Sequence, residues 1–359
     1  MQPNGPLNLA ILDDYQCIAS AKFSHLKPHL TTITSFAETL HPTHNEADKA
    51  ALISRLQPYQ IISTMRERTP FPAELISSLP NLKYLLTTGH RNRSIDLQAC
   101  AERGILVTGT TGLGAVSQHN ERVSVPYADS TTEHTWALIL GLARNIARDD
   151  AAVKNGRWQG SFATGLAGKT LGVLGLGALG AATAKIGALA FGMRAIAWSS
   201  NLTQDAADEK AAGLGLPAGT FEVASSKLAL FREADVLSVH YVLSERSVGI
   251  VGAEELGVMK PTALLVNTSR GPLIDEKSLL KTLEEGKIRG AALDVFDLEP
   301  LPLDSPWRTT RWGVEGRSEV LLSPHMGYVE EGVMHRWYEE QAENLEKWLS
   351  GKDVETRLL

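Results

Sequence analysis

Three glycines, Gly175, Gly177 and Gly180, follow the apolar run Leu171 to Leu174 in the stretch LGVLGLGALG. At this spacing they suit a strand-to-helix turn whose backbone approaches a pyrophosphate. Gly175 permits the tight turn, Gly177 admits the phosphates, and Gly180 lets helix and strand pack closely. The amides of Ala178 and Leu179 would then face the phosphates at the positive end of the helix dipole. A second apolar strand, Ala195 to Trp198, completes a βαβ unit of about thirty residues, a context that a chance match lacks. Three later segments carry polar groups in or just past strands: Arg270 at the strand end in VNTSRG, Asp294 within the strand and Glu299 just beyond it in GAALDVFDLEP, and His325 at the strand end in LSPHMG. An arginine fork suits bidentate binding of a carboxylate. A histidine exchanges a proton near neutral pH, and a carboxylate partner fixes its tautomer and favours its charged form. Each of these residues alone reads equally well as a cap, a turn or a surface charge. Together they describe an anion anchor and an acid–base pair beside a dinucleotide.

The elements that must position these groups are short apolar strands alternating with helical stretches. The first series is Leu9 to Leu12, Thr32 to Phe36, Ile61 to Thr64, Tyr84 to Thr88 and Ile105 to Thr108. The second, after Leu171, is Ala195 to Trp198, Val236 to Val239, Leu264 to Asn267, Ala291 to Val295 and Val320 to Ser323. Such alternation predicts parallel sheets with helices on both faces, and ligands beyond the carboxyl ends of the strands. In the first series those ends carry Asp13, Asp14 and Tyr15, then Arg66, Glu67 and Arg68, then Thr88, Gly89 and His90. They are candidates for one wall of a substrate cleft, although each alone suits a polar turn. The segment 110–129 reads as a long loop. Ser130 and Glu133 then have the spacing of a capping box, opening a helix apolar around nearly its whole circumference. The last helix, from about Glu330 to Leu349, is expected to pack back onto the first domain through Val333, Trp337, Tyr338, Leu345 and Trp348.

A chain of 359 residues exceeds the size at which one core stops growing, which predicts two domains. With 43% hydrophobic and 21% charged residues the chain reads as globular, and a formal charge of −6 gives no basis for nucleic-acid binding. The two cysteines, Cys17 and Cys100, lack metal-type spacing, so no metal is expected and the thiols suit a reducing compartment. No apolar run has the length of a membrane span, and MQPNGPLN does not read as a signal peptide, which leaves the cytoplasm as the expected location.

The chain resembles the D-isomer-specific 2-hydroxyacid dehydrogenase family, whose members include glycerate, phosphoglycerate, D-lactate, hydroxypyruvate and glyoxylate enzymes. The resemblance covers almost the whole length and rests on TTGHRNRSID, TEHTWALILGLAR, GVLGLGALG, DVLSVHYVL, MKPTALLVNTSRGPLID, GAALDVFDLEP and SPHMG. It implies a Rossmann-type dinucleotide-binding domain, 132–325, inserted in a flavodoxin-like substrate domain, 1–131 and 326–359, both doubly wound α/β. It also implies Arg270, Glu299 and His325 as the catalytic three. Ala178, Leu179, Thr268, Asp294 and Gly327 would surround the cofactor, with Asp294 near the nicotinamide amide. Arg66 and the backbone of Thr88, Gly89 and His90 would hold the substrate. The implied reaction is hydride transfer between NAD(P)H and C2 of a 2-oxo or D-2-hydroxy acid, catalysed by a homodimer.

The sequence departs from the family in places. Where the family often has proline, the chain reads His240-Tyr241-Val242-Leu243, which alters the adenine wall that His240 and Val242 would form. The loops 110–129 and 301–319 look long, and the second contains Trp307 and Trp312, so either could cover the site or be ordinary surface. An acidic residue about twenty positions beyond the glycines normally binds the NAD ribose. Ser199 stands there, followed by Ser200 and Asn201 without an adjacent cation, so the balance favours NADPH over NADH. Two other readings keep the fold: a dinucleotide-sensing corepressor, weakened by the absence of a long tail after Leu349, and a formate- or phosphite-type dehydrogenase.

Overall fold

The computed structural model describes residues 7–112 and 129–359, so the loop expected at 110–129 lies for the most part outside the described residues. The chain divides into two compact units, one of residues 1–122 and 330–359 and the other of residues 123–329.

In the first unit β1 (Asn8–Ile11), β2 (Thr32–Ser35), β3 (Ile61–Thr64), β4 (Tyr84–Thr87) and β5 (Leu106–Thr108) form one parallel sheet in the order β2-β1-β3-β4-β5. This is the flavodoxin-like order, whose switch point lies between β1 and β3. The residues following those two strands, Asp13 and Arg66, therefore stand where ligands bind in such sheets. β3 and β4 are buried along their whole length, which is why they read as unbroken apolar or hydroxyl runs. The last helix, Glu331–Leu349, belongs to this unit. Its Trp348 ring lies 5.1 Å from that of Tyr84, and buried Ser63 donates a 2.6 Å hydrogen bond to Gln341. Its aromatic stripe is packing, as the helical spacing predicts.

In the second unit β6 (Thr170–Leu174), β7 (Arg194–Trp198), β8 (Phe221–Val223), β9 (Val236–Val239), β10 (Leu264–Asn267), β11 (Gly290–Leu293) and β12 (Glu319–Leu322) form a parallel sheet in the order β12-β11-β10-β9-β6-β7-β8. Read from β8 to β11 this is the doubly wound dinucleotide order, with β12 added at one edge and the switch point between β6 and β9. β8 has three residues, too few to show a period in the sequence. The helix expected from Ser130 starts there, but its cap lies one residue earlier: the Asp129 carboxylate accepts from the Thr131 and Thr132 amides, a contact worth about 1 kcal/mol. The helix is apolar all round because it packs on β10, β11 and β12 and on the helix Ala178–Phe191, where Trp136 stacks on Phe191 with centroids 4.6 Å apart.

The structure adds two details to the sequence reading. β11 ends at Leu293, so Asp294 occupies the turn beyond the strand rather than the strand itself. The segment 301–319 sends its tryptophans inward. Trp307 is 2% exposed, lies between Phe296 and Trp312, and donates to Glu276 at 3.1 Å. It completes a core.

Candidate active site

The glycine turn has the form that a dinucleotide phosphate requires. Gly175 has φ +100°, and a Cβ at Gly180 would overlap the Gly175 carbonyl oxygen, so neither position admits a side chain. The helix Ala178–Phe191 opens on Gly177 with no side-chain cap, and a Cβ at Gly177 would meet no atom within 4 Å. The first amides of that helix have no intrahelical acceptor, and an anion is the partner they suit.

Along the same edge of the sheet, Arg270, Glu299 and His325 follow β10, β11 and β12. Glu299 and His325 meet: the carboxylate Oε2 lies 2.6 Å from His325 Nδ1, and Oε1 accepts from the Phe296 amide at 2.9 Å. Because a carboxylate only accepts, Nδ1 carries the proton and Nε2 is the atom left to exchange one. His325 has φ +56°, a backbone conformation uncommon outside glycine, and its ring packs edge-on against Tyr328 at 5.5 Å. Arg270 Nη1 donates to the Ser269 carbonyl at 2.7 Å, while Asn267 Nδ2 donates to the Arg270 carbonyl at 3.0 Å. The arginine is thus tied at both backbone and guanidinium.

Asp294 is the brace of the histidine loop. It is 1% exposed and accepts from the Met326 and Gly327 amides at 2.8 and 3.0 Å, and from His134 Nε2 at 3.1 Å. Burial alone would raise its pKa, but hydrogen bonds from His134, Ser323 and Met326 outweigh that and hold the carboxyl below its usual range. Thr268 shares a 2.7 Å hydrogen bond with Thr135. His134 and Thr135 belong to the TEHT stretch, whose spacing does not reveal these partners. His240, beside Ser238 at 2.8 Å, is pushed down to about 4 by burial and is neutral at pH 7. Val242 is exposed, as are Ser200 and Asn201, and Ser199 is half-buried. Tyr241, a residue that spacing did not single out, reaches Ser200.

In the first unit Arg66, at φ +50°, donates its amide to Thr88 Oγ1 at 2.9 Å, and its guanidinium lies over the Trp337 ring at 5.7 Å and against Gly89. The Thr88 amide donates to the Thr64 carbonyl and the Gly89 amide to Thr110 Oγ1, at 3.2 and 2.8 Å. Two of the three amides expected to hold a substrate therefore already have acceptors. Asp13 is buried and accepts from the Thr39 and Thr69 hydroxyls. Burial pushes it up to about 6 against those bonds and the nearby Arg68 and Arg55. Asp14 caps the turn at Ile18 and Ala19 and has a structural role.

Residues 136–327 match the family described as D-isomer specific 2-hydroxyacid dehydrogenase, NAD binding domain. A glyoxylate reductase of Thermococcus litoralis is 33% identical over 78% of this chain and 77% of its own length. The chain belongs to the D-isomer-specific 2-hydroxyacid dehydrogenase family. A hydroxypyruvate reductase of Thermotoga maritima is 32% identical over 84% of this chain and 89% of its own. The crystal structure of a phosphoglycerate oxidoreductase from Vibrio cholerae superposes with a TM-score of 0.78 at 32% identity, covering 96% of this chain and 99% of that one. The two parallel-sheet α/β units are those of this family, and the chain is an oxidoreductase that uses a nicotinamide cofactor on a small 2-hydroxy or 2-oxo acid. Among the described residues no cluster of three or more His, Cys, Asp or Glu suits a metal ion, and no helix is long and apolar enough to cross a membrane.

Proposed function

We propose that this chain reduces a 2-oxo acid of the size of glyoxylate or hydroxypyruvate to the D-2-hydroxy acid and prefers NADPH. The observation that carries the reading is the Glu299–His325 pair beside Arg270 on successive strand ends. The activities named for the relatives support the substrate size. A bound nicotinamide would supply the hydride that C2 receives. Arg270 holds the substrate carboxylate and polarises the C2 carbonyl. His325 gives the Nε2 proton to the oxygen as it becomes an alkoxide, and Glu299 on Nδ1 balances the imidazolium charge until transfer. In the oxidising direction the neutral ring takes the hydroxyl proton at Nε2. Asp294 keeps the His325–Gly327 loop in register through its two amide contacts.

The test is a reductase screen of glyoxylate, hydroxypyruvate, pyruvate and phenylpyruvate with both cofactors, with chiral analysis of the product. Glyoxylate and hydroxypyruvate are expected to exceed phenylpyruvate, and turnover of none of the four would sink the reading. Ser199→Asp restores an acid at the ribose end and should lower kcat/KM for NADPH about tenfold relative to NADH, by like-charge repulsion. A parent that prefers NADH, with a preference unmoved by the substitution, would show that this strand end does not choose the cofactor.

The second unit exposes Trp158 (75%) and Phe162 (93%), with Ile146 and Val153 on the preceding helix. Exposed aromatic and aliphatic groups on this scale mark an association surface, and we assign it to a homodimer. Sedimentation should give the mass of two chains, and Trp158→Glu with Phe162→Glu should give one. A monomeric parent at micromolar concentration would refute the assignment. The two cysteines, both free, suit a cytoplasmic enzyme, which cell fractionation checks.

A further inference from the structure

Tyr241 stands where the two halves of the nucleotide sheet diverge. β7 and β9 flank β6 on opposite sides, so the loops that follow them meet across the glycine turn. The Tyr241 ring lies nearly parallel to that of Trp198, with an 18° tilt and centroids 6.4 Å apart. Its hydroxyl is 3.1 Å from Ser200 Oγ and accepts from the Ser200 amide at 3.4 Å. The backbone that delivers it is wedged. A Cβ on Gly175 would stand 2.7 Å from the His240 carbonyl oxygen and 3.0 Å from the Tyr241 nitrogen, and Ser269 Oγ donates to the Tyr241 carbonyl at 2.8 Å. A stiff side chain on a fixed backbone thus holds a phenol at the ribose end of the dinucleotide site, where Ser199 replaces the usual acid.

We infer that Tyr241 Oη and Ser200 Oγ form a subsite of neutral donors for the 2′-phosphate of NADPH, with the Ser200 amide orienting the phenol. Accepting from the Ser200 amide leaves the phenol its own proton to donate, and the serine hydroxyl can turn to donate beside it. Hydrogen bonds from neutral donors to a charged phosphate are stronger than those to an unphosphorylated 2′-hydroxyl, so such a set discriminates without an arginine clamp. Because both donors are uncharged, discrimination should be moderate and both cofactors usable.

The inference rests on the NADPH reading, and calorimetric titration with adenosine fragments separates the two. The parent should bind 2′,5′-ADP more tightly than 5′-ADP. Tyr241→Phe keeps the ring against Trp198 and removes only the hydroxyl. It should weaken 2′,5′-ADP about tenfold, as loss of one hydrogen bond to a charged group predicts, and leave 5′-ADP within about twofold. Ser200→Ala, at an exposed position, should act in the same direction. A parent without preference between the fragments overturns the NADPH reading and the subsite with it. A parent that prefers 2′,5′-ADP, with the preference intact in Tyr241→Phe, overturns the subsite alone.

Discussion

Replacing His325 by glutamine is expected to lower kcat about a thousandfold in both directions while the KM for the cofactor stays near its parent value. The ring is the group whose Nε2 exchanges the substrate proton, and the glycine turn that fits the phosphates does not include it. Glu299→Gln is the finer probe, because the side chain keeps its shape. Its two oxygens serve two donors, His325 Nδ1 at 2.6 Å and the Phe296 amide at 2.9 Å. An amide has one oxygen. If that oxygen turns to His325, an NH2 group faces the Phe296 N–H. If the NH2 turns to His325, the neutral ring must carry its proton on Nε2 and cannot accept one from a hydroxy acid. Either arrangement costs catalysis, by about a hundredfold or more in kcat, and by up to about ten-thousandfold where the wrong tautomer prevails. Oxidation should suffer at least as much as reduction, since the second arrangement removes the base itself. Steady-state rates in both directions, with thermal unfolding as a control on folding, make the measurement. A Glu299→Gln enzyme within about twofold of the parent would remove Glu299 from the mechanism.

Why the pair was legible in the sequence, and its brace was not, follows from how each is built. Parallel strands buried on both faces read as short apolar runs, and in a doubly wound sheet their carboxyl ends are where ligands bind. Arg270, Glu299 and His325 could therefore be found by looking just past Leu264–Asn267, Gly290–Leu293 and Glu319–Leu322. Asp294 was visible for the same reason, but its work was not. His134 is 160 residues away in sequence, on a helix whose pattern gave only burial. Tyr241 and Ser200 likewise meet over 41 residues through strand order. Trp307 lies in a long segment that reads equally as a cover or as surface, and only the fold shows its indole in the core. Pattern identifies faces and ends, whereas partners across a fold depend on which strands lie side by side.

Arg270→Lys is expected to lower kcat/KM for the 2-oxo acid about a hundredfold, although the charge is retained. The guanidinium donates Nη1 to the Ser269 carbonyl at 2.7 Å, so its plane is fixed before substrate arrives. The backbone beneath it is equally constrained. Asn267 Nδ2 holds the Arg270 carbonyl at 3.0 Å, and Gly271 packs so closely on Phe296 that a Cβ would overlap its main chain. A lysine on this backbone offers a point charge on a flexible stem. It cannot donate to Ser269 and at the same time present two parallel donors to a carboxylate. The loss should fall on kcat as well as KM, because an anchor that also polarises the C2 carbonyl acts more strongly on the transition state than on bound substrate. The KM for the cofactor should be unmoved, which distinguishes loss of the anchor from general loosening of the strand end. A variant matching the parent within about twofold on its best substrate would show that Arg270 does not hold the carboxylate.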